Sequence, residues 1–236
     1  MTVGEIIKAV RFCYDEEALN GANFGNASSN DNTLMDNIIK SKIGDALRWI
    51  CLYAPAELLN GTDSATSAAT GILVDKTGVS PTGITDTTGG KIQLDATNHP
   101  GFIKIVRIRM GDWHRAIKDP ISEDSEEYLQ LYDTNGAAAT VDRPQAAIID
   151  KAVKEIEVWP FTSGKTASYT YVADPGTTIS STSALTDTLN LPPKAKTAFI
   201  YYLAFLVLSA YEDSRAVRML EIAKMNVSRT ENTQNK

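Results

Sequence analysis

The sequence predicts an α+β fold, in which N-terminal helices and a long C-terminal helix form an α-helical bundle and an antiparallel β lobe is inserted between them. Three observations carry this expectation. Apolar residues recur at offsets of three, four and seven near the N-terminus, short alternating segments fill the middle, and the stretch from Ala198 to Tyr211 is apolar except for Ser209. Helices from the two ends of the chain must then pack together, leaving the β region as a separate layer or lobe. The expected boundaries are a helical hairpin over 1–59, the β lobe over 60–190, the long helix over 191–225 and a flexible tail over 226–236.

Residues 2–19 read as the first helix, with Val3, Ile6, Ile7 and Val10 on one face and Asn20-Gly21 at its end. An Asn- and Ser-rich loop follows. Asn32 or Thr33 can cap a second helix that reaches Tyr53 and stops before Pro55. Its apolar stripe is Met35, Ile39, Ile43, Ala46, Leu47 and Ile50, widened by Trp49 and Leu52. Gly44 inside it costs about 1 kcal/mol of helix propensity, which suggests either a close helix contact, the favoured reading, or mere tolerance. Between Asn60 and Gly90 the composition turns to Thr, Ser, Gly and Ala, too polar to build a core. This insertion is expected as a protruding loop or hairpin bounded by strands near Ile72-Leu73-Val74 and Ile92-Gln93-Leu94.

Strands are next expected over Phe102 to Met110 and Trp113 to Ile117. The alternation of Ile103 and Ile105 with Lys104 slips phase before Ile108, which predicts a bulge near Val106, and Gly111-Asp112 marks a turn. Ser122 caps a short acidic helix near 123–132, with Glu123, Asp124, Glu126 and Glu127 in its first turn, where the helix dipole favours negative charge. Asn135-Gly136 is a tight-turn signal. Ala146 to Ile149, Glu155 to Trp159 and Ala167 to Val172 complete the β region, and Leu191-Pro192-Pro193 opens the long helix.

That helix poses a burial problem. Fourteen residues rise only about 21 Å, short of a hydrocarbon core of roughly 30 Å, and Lys194, Lys196, Glu212 and Asp213 flank the stretch. No membrane span is expected. A helix apolar on every side must be covered by its own chain or by a neighbour.

The 236 residues, 43% apolar, suffice for one elaborated domain or two small ones. A formal charge of −6 and a pI near 5.0 argue against a protein that grips nucleic acid by its phosphates. Cys13 and Cys51 fall in expected helices and read as reduced thiols, which suits a reducing cytoplasm. The N-terminus has no uninterrupted apolar run of the signal-peptide kind. Asn-x-Ser/Thr triplets at Asn26, Asn60 and Asn226 mean nothing without secretion.

Motifs for chemistry are sparse. Ser163-Gly164-Lys165-Thr166 resembles the end of a phosphate-binding loop, but Trp159 stands where that loop needs glycine and a strand follows, so a hairpin turn is expected. His99 and His114 have no partner at metal-ligand spacing, no Gly-x-Ser-x-Gly elbow occurs, and the glycine of Asp133-Thr134-Asn135-Gly136 comes two positions too early for a calcium loop. No catalytic residue, cofactor or metal site is assigned.

Charge, in contrast, is segregated. Lys104, Arg107, Arg109, Arg115 and Lys118 face a single acid, Asp112, whereas Asp119 to Asp142 holds seven acids and no Lys or Arg. Either these are solvated faces that neutralise each other within one subunit, or the acids of one subunit meet the basic strand of the next around a ring.

From Arg143-Pro144 onward the pattern resembles the head-to-tail connector proteins of tailed bacteriophages. The residues are the Trp-Pro exit of Ile156-Glu157-Val158-Trp159-Pro160, then Tyr169-Thr170-Tyr171-Val172-Ala173-Asp174-Pro175, Thr188-Leu189-Asn190-Leu191-Pro192-Pro193, and the helix ending Ala210-Tyr211-Glu212-Asp213 and Ala216-Val217-Arg218-Met219-Leu220. With the two N-terminal helices and the Asp112-Trp113 strand, the similar layout covers most of the chain. The Asn-rich flavour and the Ser/Thr-rich insertion, which fits the connector pattern least, resemble ring proteins of crAss-like phages. The resemblance implies a homo-oligomeric ring, commonly dodecameric, beneath the portal protein, contacting other tail or ring proteins. It also implies a lumen through which DNA passes without specific binding, no active site, a place in the virion neck or tail, and host cytoplasm during assembly.

On this reading Arg107, Arg109, Arg115, Glu123, Asp124, Glu126, Glu127, Tyr202 and Phe205 are candidate subunit-interface residues. Related adaptors dock a C-terminal extension into the portal, so Asn226, Val227, Ser228 and Arg229 are candidate docking residues. Two other classes are open: a standalone monomeric binding module, adhesin-like, that uses the Thr-rich loop and β lobe, and a carboxylate-metal enzyme built on Glu123 to Glu127.

Overall fold

The computed structural model describes residues 1–14, 30–60, 72–85, 87–132, 139–150, 154–174, 176 and 179–228. The chain divides into two compact units, a helical one from Met1–Ile72 with Asp174–Lys236 and a β one from Leu73–Ala173. The expected end of the first helix at Asn20-Gly21, the loop to Asn32, most of the Thr/Ser-rich stretch and the Asn135-Gly136 turn lie outside the described residues.

In the helical unit, α1 (Val3–Tyr14) starts with a reciprocal cap. The Thr2 N–H donates to the Glu5 carboxylate at 2.8 Å and the Glu5 N–H donates to Thr2 Oγ1 at 3.2 Å, so two N–H groups that a helix start leaves open are satisfied together. The long helix α2 (Asn30–Tyr53) begins two residues before the expected caps and stops where Pro55 would clash with continuation. A short α3 (Ala56–Leu59) follows. Ile39, Ile43, Ala46, Leu47 and Ile50 are buried, as the stripe requires, and so is Cys51. An ion pair between Arg11 and Asp36, both mostly buried, joins α1 to α2.

The single C-terminal helix of the sequence reading is broken in two. After a 3-10 turn at Pro193–Ala195 come α5 (Lys196–Ala210) and α6 (Ala216–Ser228). Glu212 lies in the left-handed region at φ 55°, the Glu212 N–H donates to the Ser209 carbonyl and the Asp213 N–H to the Leu208 carbonyl. This is the bonding of a Schellman stop, made without the glycine that usually announces it. Asp213 then caps the next helix, its carboxylate accepting from the Arg215 N–H at 2.9 Å and from the Arg215 guanidinium at 2.7 Å. These bonds hold the Asp213 carboxyl at about 2, below the usual range. Helix α5 packs against α1, α2 and α6, which covers Ala198, Phe199, Leu203, Ala204, Val207 and Leu208.

The β unit holds two sheets. One has the order β1-β8-β4, from β1 (Leu73–Val79), β8 (Ala167–Ala173) and β4 (Phe102–Met110). The other runs β2-β3-β7-β6-β5, from β2 (Thr82–Gly83), β3 (Gly90–Gln93), β7 (Glu155–Trp159), β6 (Gln145–Ile149) and β5 (Ile121–Ser122). All pairs are antiparallel except β5 with β6, which departs from the wholly antiparallel expectation. Between the sheets lies one core containing Ile105, Ile108, Met110, Trp113, Ile156 and Tyr169.

The bulge falls at Val106: Ile105 sits opposite Tyr171 and Arg107 opposite Thr170, so two steps on β4 oppose one on β8. It resets the phase so that Ile108 and Met110 are buried while Arg107 and Arg109 point outward. The expected strand over Trp113 to Ile117 is absent, and only Ile117 bridges back to Ile108. Of the loop or hairpin expected between the strands near Ile72 and Ile92, the hairpin is not formed by those two strands, because β1 pairs with β8 and β3 with β7. Likewise Ser163-Gly164 is a turn, with Gly164 at φ 79°, but it links strands of different sheets and is no hairpin. The acidic helix α4 (Glu126–Tyr132) starts three residues later than expected, since Ser125 and not Ser122 supplies the capping oxygen, to the Tyr128 N–H at 3.2 Å.

Candidate functional site

The basic strand and the acidic segment are both built as the sequence suggests, but their bonds go elsewhere. Arg107 donates from Nε to Thr170 Oγ1 at 3.0 Å, and its guanidinium stands 3.8 Å from Asp75, which also accepts from Thr170. A polar ladder thus crosses β4, β8 and β1, and Arg107 is paired within its own sheet. Arg109 donates to the Trp113 carbonyl at 3.1 Å and braces the turn after β4. Arg115 is exposed beside His114, whose Nδ1 meets Asp142 at 2.5 Å. Asp124, Glu126 and Glu127 are exposed, and Glu123 is half-buried.

What fixes the acidic helix to its sheet is aromatic and carboxylate chemistry. Glu157 on β7 is 5% exposed and accepts from the Tyr132 hydroxyl at 2.8 Å, while the Tyr128 hydroxyl donates to Tyr132 at 3.2 Å. Burial first, then these bonds, push the Tyr132 phenol far above its ordinary value, so it stays protonated and able to donate.

Tyr202 and Phe205 are brought together on α5, ring centroids 5.4 Å apart, and both are half-buried. Tyr202 stacks on Trp49 of α2 at 4.1 Å and 8°, and Trp49 leans on Tyr53 at 5.6 Å. Tyr53 is 64% exposed, so the four rings form a strip that ends in solvent. Of this strip the sequence reading singled out only the α5 half; the i, i+4 spacing of Trp49 and Tyr53 was the available signal for the rest.

A second apolar surface was missed altogether. A groove of about 690 Å³ runs between α1 and the start of α5, lined by Ala9, Phe12, Cys13, Ile200 and Tyr201 together with Glu5, Lys8 and Lys196. Phe12 lies outside the Val3, Ile6, Ile7, Val10 stripe and is 52% exposed, and a bulky aromatic off the core stripe was the signal.

The β unit has its own cavity, about 450 Å³, lined among others by Lys76, Lys91, Asp95, His99 and Tyr169. His99 is 5% exposed and its Nε2 meets the Tyr169 hydroxyl. Burial, and then the Lys76 charge, hold the His99 imidazole below its ordinary pKa, while burial raises the Tyr169 phenol to about 12.

At the C-terminal end, Asn226, Val227 and Ser228 are the last turn of α6, with Asn226 Nδ2 donating to the Ile222 carbonyl at 2.8 Å and Ser228 Oγ to the Lys224 carbonyl at 2.9 Å. Arg229 lies outside the described residues. Among the described residues no group of three or more His, Cys, Asp or Glu could hold a metal ion, and no helix is long and apolar enough to cross a membrane.

The described residues thus carry internally paired polar ladders, a braced acidic helix and half-covered aromatic rings. A family model described as SU10 adaptor protein matches residues 1–229, and the chain belongs to that family. It is a bacteriophage head-tail adaptor. No curated protein matches the chain.

Proposed function

We propose that the chain is one subunit of a homo-oligomeric ring, commonly dodecameric in such connectors, that sits beneath the portal, joins capsid to tail and encloses the channel for the genome. The observation that carries this reading is the family match across nearly the whole chain. The half-covered rings of α5 support it, because a helix apolar on all sides is satisfied when one face packs on its own unit and another on a neighbour. The net charge of −6 suits a conduit for a polyanion, since a basic lining would hold phosphates. Portal and other tail proteins are its partners, assembly takes place in the host cytoplasm, and no enzymatic step is assigned to it.

Charge contributes at the ring contacts. The exposed acids Asp124, Glu126 and Glu127, with Glu123, face cations of the next copy, and Arg115 is the best placed of the basic candidates because Arg107 and Arg109 already have partners in their own chain. Exposed pairs of this kind are screened over about 8–10 Å at physiological salt. Raising the salt concentration therefore loosens the assembled species, read as a falling ring fraction by light scattering.

The decisive measurement is the mass of the purified chain, alone and mixed with its portal, by light scattering or electron microscopy. Rings under either condition support the reading. A monomer under both, with no ring of this chain in intact particles, overturns it. The cavity beside His99 favours a second reading, a monomeric binding module holding a ligand in the β unit, which predicts that outcome.

A further inference from the structure

On the side of the β unit where β1 edges one sheet and β2 the other, the two sheets frame the cavity of about 450 Å³. Lys76 of β1 stands directly opposite Tyr169 of β8. Directly opposed residues of an antiparallel pair share a face, and Tyr169 belongs to the core, so the half-buried Lys76 reaches over the inner face of its sheet. His99 comes to the same place from the turn after β3. Its N–H donates to the Asp95 carbonyl at 2.8 Å and its carbonyl accepts from the Phe102 N–H at 3.2 Å, which fixes the backbone that carries the ring. An ammonium, a phenol and an imidazole from three parts of the chain thus line one cavity.

Their hydrogen bonds do not balance. Burial pushes the Tyr169 phenol up to about 12, so it keeps its proton. Burial, and then the Lys76 charge, hold the His99 imidazole below its ordinary pKa, so at neutral pH the ring carries a single N–H. The pair therefore has two donors, and its one bond, between Nε2 and the hydroxyl, uses one of them. Where the hydroxyl donates, the spare proton sits on Nδ1, which is buried and has no partner among the described residues. Where Nε2 donates, the spare proton is that of the Tyr169 hydroxyl, and an acceptor in the cavity selects this tautomer. Protonation of His99 would only add a donor. The Lys76 ammonium brings three more, and among the described residues it has no hydrogen bond or ion pair. The other charges of the lining are turned elsewhere: the Asp95 carboxylate accepts from the Asn98 N–H at 2.7 Å and from Asn98 Nδ2 at 2.8 Å, and the Lys91 ammonium stands 3.7 Å from Glu155.

We infer that this cavity binds a small anion, a carboxylate or a phosphate, between the Lys76 ammonium and the Tyr169 hydroxyl. A volume of this size suits a small molecule, and a cation with a spare hydroxyl donor suits an acceptor that carries negative charge. The site goes beyond the ring reading and does not rest on it. Calorimetric titration of the full-length chain with inorganic phosphate, with acetate and with neutral glycerol tests it. The expected result is one site per chain for at least one of the two anions, none for glycerol, and the tighter anion names the ligand's charged group. Lys76→Met, on a half-buried position of an edge strand, should weaken that binding about tenfold or more with the fold intact by circular dichroism. Tyr169→Phe removes only the hydroxyl and should weaken it severalfold; should that core substitution unfold the chain, Lys76→Met decides alone. No binding of either anion, equal binding of glycerol, or anion binding that Lys76→Met leaves unchanged overturns the site. The titration reads the β unit whatever the state of assembly, so its failure leaves the ring standing, and failure of the ring leaves this site standing.

Discussion

Gly89 and Gly90 show how tightly the β unit is packed at a single position. A Cβ on Gly89 would lie 2.6 Å from the Trp159 ring, and one on Gly90 would lie 2.6 Å from Phe161. Trp159 is 1% exposed and has nowhere to move. Gly89→Ala should therefore destabilise the protein by about 1–3 kcal/mol, the usual cost of overpacking, read as a lower urea midpoint with an unchanged m-value. His99 makes a second prediction at this scale. Its folded pKa lies below the ordinary 6.5, so the unfolded chain binds the proton more readily. The stability this burial carries is complete above the unfolded value and is lost as pH falls through and below it. The lowered carboxyls of Glu5, Asp95 and Asp213 add their own slope at and below their ordinary values of 4.5, 3.8 and 3.8, beneath the interval from pH 7 to 5 in which the His99 slope is sought. Urea midpoints should fall across that interval and lose that slope in His99→Gln; an unchanged slope would assign it to another group.

At the level of elements, the corner between α5 and α6 carries the clearest prediction. Glu212 sits at φ 55°, a conformation that costs a residue with a Cβ roughly 1 kcal/mol and that glycine adopts freely. Glu212→Gly should raise the thermal midpoint of the helical unit by an amount equivalent to about 1 kcal/mol, and a fall would show that the Glu212 side chain has a compensating contact. The same corner explains what the sequence left hidden. No Gly or Pro stands between Ala198 and Leu220, and the local mark of a stop is the polar run Glu212-Asp213-Ser214-Arg215; the stop itself is made by backbone bonds to Leu208 and Ser209 and by the Asp213 cap. Where punctuation was local it could be read: the phase slip at Val106 gave the bulge, and Pro55 the end of α2. Strand pairing was not legible, because β1 and β3 are short strands of mixed polarity whose partners, β8 and β7, are chosen by the core between two sheets and not by the turns that flank them. Of the half-covered surfaces, Tyr202 and Phe205 were legible in a helix that is apolar on every side, whereas the groove depends on how α1 meets α5.

For the whole molecule, the two units divide the labour differently from charge segregation alone. In the β unit Arg107 is engaged by Asp75 and Thr170 and Arg109 by Trp113, which leaves Arg115 and the exposed acids of α4 as its outward charges, whereas the helical unit keeps aromatic and apolar surface that its own helices only half cover. Assembly of the proposed ring should thus draw on helical faces as well as on these charges, and its attachment to the portal on a separate element. The C-terminal end of α6 is that element in our reading. In its last turn Asn226 bonds to the Ile222 carbonyl and Ser228 to the Lys224 carbonyl, while the fully buried residues of the helix, Ala216, Met219 and Ala223, come earlier. Ser228 is exposed, so a chain that ends at Val227 loses no buried side chain among the described residues. A truncated chain ending at Val227 should keep its thermal midpoint within about 1 kcal/mol of the intact protein, as surface changes away from packed features do. It should still form whatever ring the intact chain forms and yet fail to join the portal when the two are mixed and sized together. Co-migration of the truncated chain with the portal would move the docking surface elsewhere, and a truncated chain that unfolds would mean that the end of α6 supports the body.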